Sequence, residues 1–214
     1  MVSLGKITRA LQDYSPSLLP DSTGPEGGRR AGVALVMRPG DESLLFIERA
    51  ERQGDPWSGH LAFPGGRLED EDGGDLRRTA ERETAEEVGV DLGGARRLGR
   101  LDDVGGALSP VVVAAYAYVV GSCRPQPNDE VRRAFWVPLA DLGDPGRRRV
   151  FYHGRRGGDE AQRPFPALDL LGPGRPLLWG LSYRMVARLL GLAGCALPLS
   201  ANDIPLEEKD AAEG

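Results

Sequence analysis

Four short stretches of the chain are apolar almost without interruption and are bounded by glycine, proline or charge: "AGVALVM" (31–37), "SLLFIER" (43–49), "VVVAAYAYVV" (111–120) and "AFWVP" (134–138). Continuous β-branched and aromatic runs of this length predict strands. Two longer segments, 76–88 and 178–192, carry apolar residues at helical spacing, and a short amphipathic helix is predicted near Leu4 to Leu11. Residues 15–30, "SPSLLPDSTGPEGGRR", read as a linker. The acidic stretch from about Ser200 reads as a mobile tail. Strands and helices without regular alternation predict an α/β fold, a mixed sheet with helices on its faces. The expected organisation is an N-terminal helix and linker (1–30), one main domain (31–199) and the tail (200–214).

The helix over 76–88 has an unusual polar pattern. Asp75 is placed to cap its start and Gly89 to end it in a left-handed conformation. At about 100° per residue, Leu76, Ala80 and Val88 share one stripe, and Glu83, Glu86 and Glu87 project beside or onto it. A solvated charge run would lie opposite. Anions in the last turn oppose the helix dipole by roughly 0.3 to 1 kcal/mol each, and Glu83 and Glu87 repel one another at i, i+4. A divalent cation offsets that penalty naturally, because carboxylate oxygens suit Mg²⁺ or Mn²⁺ while substrate phosphates and water complete the shell. The lack of His or Cys partners speaks against zinc. Arg82, one turn before Glu86, is placed to orient that carboxylate.

Composition narrows the class of function. The 214 residues carry a net charge of −5, so there is no global attraction to nucleic acid or an anionic membrane. No run of 18 apolar residues and no leader-like N-terminus is found, and a cytoplasmic setting is expected. Cys123 and Cys195 stand far apart without paired spacing. A phosphate-bearing substrate must therefore be met by local chemistry.

Upstream of the acidic helix lies "LAFPGGRLEDEDGGD", in which Pro64, Gly65 and Gly66 permit a tight turn close to a ligand. The glycine pair, an acid six residues on (Asp72) and "RETAEEVG" together resemble the Nudix box, a glycine, then a glutamate, then Arg-Glu-x-x-Glu-Glu-x-Gly. Here Asp72 stands for the glutamate, and Gly73 and Gly74 form a two-residue insertion. The resemblance implies a Nudix-type α/β/α sandwich that hydrolyses diphosphates linked to another moiety. It implies Glu83 and Glu87 as principal metal ligands, Glu86 as a third ligand or the base, the carbonyl of Gly65 as a backbone ligand, and Arg82 as the orienting partner. Glu130, ahead of a strand, reads equally as a distant ligand or base and as a solvated turn residue.

Further stretches, "RAERQGDPWSGHLAFPGG" (49–66), "PNDEV" (127–131) and "LLWGLSYRMVARLL" (177–190), are similar to the coenzyme A diphosphatase branch. That implies coenzyme A or acyl-coenzyme A as substrate, giving 3′,5′-ADP and a 4′-phosphopantetheine. The candidate substrate contacts are Arg49, Arg52, Trp57, Phe63 and Gly66, with Trp179, Leu181 and Tyr183 as further groove lining. The alternatives are a pyrophosphatase for ADP-ribose or NADH and a Nudix-fold module that senses a nucleotide without cleaving it. A homodimer stays open. His60 and Trp136 read as structure or pocket wall, and Arg147, Arg148, Arg149, Arg155 and Arg156 as a charged loop or a phosphate grip.

Overall fold

The computed structural model describes residues 2–20, 29–55, 57–105, 111–154 and 162–204. Arg155, Arg156 and the tail beyond Ile204 lie outside them.

Helix α1 (Leu4–Gln12) is followed by strands β1 (Arg29–Arg38) and β2 (Ser43–Arg49). These two pair antiparallel only beside their turn, at Met37 opposite Leu44 and Arg38 opposite Ser43. Farther along they take different neighbours. Strand β3 (Leu61–Ala62) pairs with β2, and β4 (Gly65–Arg67) pairs with β1, where Gly65 lies opposite Val33. The glycine turn is thus held between two diverging strands. Helix α2 (Leu76–Val88) comes next, then β5 (Arg96–Arg100), β6 (Val104–Gly105), β7 (Val111–Val119) and β8 (Val131–Pro138). Strands β1 and β7 run parallel from Arg29 opposite Val111 to Met37 opposite Val119, while β5, β6 and β8 add antiparallel. The result is an eight-stranded mixed sheet. The short helix α3 (Leu139–Leu142) leads to a second sheet of β9 (Arg148–His153), β10 (Arg163–Leu168) and β11 (Leu178–Trp179), and α4 (Gly180–Leu192) closes the fold.

The central strands have no solvent side. In β1, Ala34 and Val36 join the core under α2, whereas Leu35 and Met37 join the core under α1 and α4. Leu45 and Ile47 of β2 likewise face α2, and Leu44 and Phe46 face the opposite layer. Period-2 alternation sends every second side chain to a different hydrophobic core, so the strands read as unbroken apolar runs. The expected three-layer α/β arrangement is observed.

Several elements differ from the sequence reading. Strand β5 is "RRLGR", a polar edge strand with no apolar run to mark it. The second sheet was not foreseen, and its last strand occupies 178–179, so α4 starts at Gly180. Helix α1 is no detached appendage, because Leu4, Ile7 and Leu11 share a core with Tyr183, Val186 and Leu190 of α4. The segment after it is tied down as Ser17 N and Leu19 N donate to Asp102 and Asp103. At the other end, Ala201 and Ile204 are buried against Val150, so packed chain continues past Ser200.

Candidate functional site

The site grows from how α2 is fixed on the sheet. Asp75 caps its first turn by accepting from Arg77 N at 2.9 Å, and Gly89 ends it at a φ of 65°. The helix lies so close to β1 that a Cβ on Gly32 would fall 2.0 Å from the Leu76 carbonyl oxygen. Only glycine fits there. This contact sets the height of the last two turns over the Gly65–Gly66 turn.

Glu87 points inward and is 2% exposed, with one carboxylate oxygen accepting from Gly65 N at 2.9 Å. Burial drives its pKa up to about 7, with the neighbouring charge of Glu83 adding to the rise. Glu83 is half-buried beside it, and burial raises its pKa too. Its carboxylate occupies the space that a Gly66 side chain would need, 2.1 Å from an added Cβ. Gly65 is constrained separately. Its φ is 148°, and an added Cβ would fall 2.3 Å from Gly32 O. Gly65 is thus required by the backbone of β1, and Gly66 leaves the Glu83 carboxylate its place.

Arg82 organises the outer side of the site. It donates to Asp72 through Nε at 3.0 Å and Nη2 at 3.1 Å, and through Nη1 to Glu83 at 3.2 Å and Glu86 at 3.1 Å. Glu86 is exposed. Asp72 is buried and also accepts from Glu69 N and Thr79 Oγ1; its hydrogen bonds from Arg82 hold its pKa down at about 2. Its role was missed in the sequence, where it stood only as a replaced box residue. The left-handed Gly73 and Gly74, at φ 61° and 81°, turn the chain back so that Asp72 meets Arg82 ten residues on. The apparent insertion is part of the clamp.

A second missed feature offsets the helix dipole. Gln126 N donates to Val88 O at 2.8 Å and Asn128 N to Glu87 O at 2.9 Å, so the loop "QPNDE" supplies amides to the otherwise orphaned carbonyls. The same loop brings Glu130 close enough for its charge to add to the rise at Glu87. Glu130 accepts from Arg52 Nη1 at 2.8 Å, with both side chains well exposed. Arg49 is bonded to Asp55 at 3.0 Å and lies 3.8 Å from Glu87.

The expected apolar groove is only partly met. Trp57 is half-buried beside His60, whose ring packs on Trp179, and Trp179 stacks on Phe151 at 4.2 Å. Phe63 is corrected: it is 2% exposed and stacked on Phe46 at 4.9 Å, a core position rather than a groove wall. Tyr183 is also core, with its hydroxyl donating to Pro198 O. Trp136 carries Arg38 over its ring at 4.4 Å. Arg147 is paired with Asp141 and Arg149 with Asp169, which leaves neither as a free phosphate grip.

Among the described residues, no three His, Cys, Asp or Glu side chains converge as a closed cation cage. The donors at hand are oxygen atoms only, and two of the carboxylates, Glu83 and Glu87, are desolvated without a full counter-charge. That set fits a hard divalent cation that keeps open positions for water and phosphate oxygens.

Residues 28–154 match the NUDIX domain family. A protein of Schizosaccharomyces pombe, itself uncharacterised, is 32% identical over 160 residues, covering 62% of this chain and 47% of that protein. The peroxisomal coenzyme A diphosphatase of Caenorhabditis elegans is 43% identical over 70 residues, 32% of this chain and 30% of that protein. The chain thus spans about half the length of the first relative and under a third of the second. A MutT/nudix family protein from Enterococcus faecalis superposes with a TM-score of 0.51 at 16% identity, over 88% of this chain and 68% of that one, a likeness of fold. No helix among the described residues is long and apolar enough to cross a membrane. The family match takes in more than half of the chain, including the whole of the α2 clamp and its glycine turn, and the chain belongs to the Nudix family, whose hydrolases act on pyrophosphate bonds and generally use divalent metals.

Proposed function

We propose that the protein hydrolyses the diphosphate bond of coenzyme A or its acyl derivatives, giving 3′,5′-ADP and 4′-phosphopantetheine or its acyl form. The observation that carries the hydrolase reading is the desolvated Glu83 and Glu87 pair, seated on the Gly65–Gly66 turn. A binding module has little use for one buried and one half-buried carboxylate whose pKa values are both raised. The coenzyme A assignment is supported by the partial similarity to a coenzyme A diphosphatase and by the arginine and tryptophan residues of the 49–60 segment.

Glu83 and Glu87 would hold Mg²⁺ or Mn²⁺, with Glu86 and the Gly65 carbonyl as further donors. The cation supplies charge neutralisation on the diphosphate oxygens and a lowered pKa for the attacking water. Arg82, fixed by Asp72, keeps Glu83 and Glu86 in orientation through one planar fork. The proton of the attacking water would go to Glu86 or Glu130. Glu86 is exposed and Glu130 partly so, and each is steadied by one arginine, Arg82 or Arg52. Trp57, beside His60, forms a rim against which part of the substrate can lie.

Incubation with Mg²⁺ and coenzyme A, acyl-coenzyme A, ADP-ribose, NADH and nucleoside triphosphates, followed by product masses, tests the reading. Highest kcat/KM on a coenzyme A species is expected. A higher value on ADP-ribose or NADH overturns the substrate, and no turnover on any compound overturns the hydrolase.

A further inference from the structure

Glu48, in β2, is fully buried, yet it belongs to neither the carboxylate site nor an ordinary one-to-one ion pair. Three arginines surround it. Arg132 Nη1 lies 3.0 Å from one oxygen, and Arg133 Nε and Arg175 Nη2 lie 2.7 and 4.0 Å from the other. Glu51, at 3.8 Å from Arg132, is the only further acid paired with this group among the described residues. Three guanidiniums against two carboxylates leave a net positive charge.

The geometry points outward. The second oxygen of Glu48 has no aligned hydrogen bond, so Arg133 is drawn to it by charge and not through a directed N–H. The terminal nitrogens of Arg133 and Arg175 have no hydrogen-bond partner among the described residues. All three side chains are between a third and just over a half exposed. If neutralising a buried carboxylate were the whole role, Arg132 alone, hydrogen-bonded at 3.0 Å, would meet it. The extra forks are held at the surface by a buried anchor.

The cluster also lies in the right place. Arg132 and Arg133 follow Glu130 along β8 by two and three residues, which at strand rise is about 7 to 10 Å. Arg133 sits opposite Glu48 in the β2–β8 ladder, on the sheet face that carries Phe46 and Phe135. Arg49 and Arg52, the arginines among the candidate substrate contacts, are already bonded to Asp55 and Glu130.

We propose that Arg133 and Arg175, together with Arg132 and braced by Glu48, form a subsite for a phosphate monoester on the ribose of the substrate's adenine nucleotide. Guanidinium forks match the geometry of a dianionic phosphate, and one charge-assisted contact is worth about tenfold in affinity. The subsite rests on the coenzyme A reading above and explains how a 3′-phosphorylated nucleotide is told from its unphosphorylated counterpart.

Calorimetric titration of the full chain in Mg²⁺ with adenosine 3′,5′-bisphosphate and with AMP tests it, since the two differ only in the 3′-phosphate. The wild type should bind the bisphosphate at least about tenfold more tightly. Arg175→Ala, a change at an exposed loop position, should reduce the ratio below about threefold while AMP affinity stays unchanged. Arg133→Ala is the second variant, accepted when its thermal midpoint is near wild type. Equal affinities in the wild type, or a ratio that survives Arg175→Ala, overturn the subsite. The parent reading fails separately: an Arg175-dependent bisphosphate preference without turnover of coenzyme A keeps the subsite and removes the substrate. Turnover of coenzyme A with no such preference does the reverse.

Discussion

Helices α2 and α4 are both 13 residues long and pack on opposite faces of the same sheet, yet they bury different chemistry. Helix α4 buries Tyr183, Met185, Val186, Ala187, Leu189 and Leu190. Helix α2 buries Leu76, Ala80 and Val88, but also Thr79, Thr84 and the carboxylate of Glu87. The first helix is held by its own apolar face. The second depends on devices outside itself: the missing side chain of Gly32, the Asp75 cap, the Asp72–Arg82 clamp and the amides of Gln126 and Asn128. Stability is concentrated on one face of the sheet so that the other can carry a charged site, and substitutions in the two helices should behave in opposite ways.

The largest effect expected is at Glu87. Glu87→Gln should lower kcat by about three orders of magnitude or more, with a thermal midpoint equal to or above wild type because a desolvated charge and its repulsion with Glu83 are removed. Leu189→Ala, on the other helix, should lose about 2 to 5 kcal/mol of stability and leave kcat of the folded protein unchanged. Parallel losses of activity and stability in both variants would break the contrast. Next comes Gly66→Ala, whose new methyl displaces the Glu83 carboxylate; a shift near 1 Å should reduce kcat/KM on the order of a hundredfold. Wild-type rates there would mean that Glu83 has no fixed role. Arg82→Lys follows, with a drop of roughly ten- to a hundredfold, since a point charge cannot bind Asp72, Glu83 and Glu86 at once. Retained activity would reduce Arg82 to a structural ion pair.

The smallest effect concerns pH. Asp72 has a folded pKa of about 2 against an ordinary value of 3.8, so its ionised form is favoured by the fold. The stability it contributes, on the order of 2 kcal/mol, is present above about pH 4 and is lost as pH falls toward 2. The midpoint difference between wild type and Asp72→Asn should therefore be constant near neutral pH and shrink over that acid window. A difference that does not change with pH would show that Arg82 is held mainly by other partners.

The contrast also explains what the sequence could disclose. Strands β1, β2 and β7 were legible because both of their faces are buried, and α2 was legible to the residue because Asp75 and Gly89 mark its ends. Local spacing likewise brought Glu83, Glu86, Glu87 and Arg82 together. The edge strand β5 and the small sheet β9–β11 were not legible, since neither carries a long apolar run. Nor was the part of Asp72, or of the 126–128 amides, because each acts on residues distant in sequence. Phe63 shows the limit of reading aromatics near a glycine turn: its place in the connection between β3 and β4, not composition, sends it to Phe46 and the core.

The central claim is that the Glu83 and Glu87 carboxylates of α2 drive hydrolysis of a coenzyme A diphosphate. Its most direct test is mass analysis of products after incubating wild type and Glu87→Gln with coenzyme A and Mg²⁺, each checked for an intact thermal transition. The prediction is 3′,5′-ADP and 4′-phosphopantetheine from the wild type, with neither accumulating above background with the folded Glu87→Gln protein. Equal product from both proteins, or none from the wild type, would contradict it.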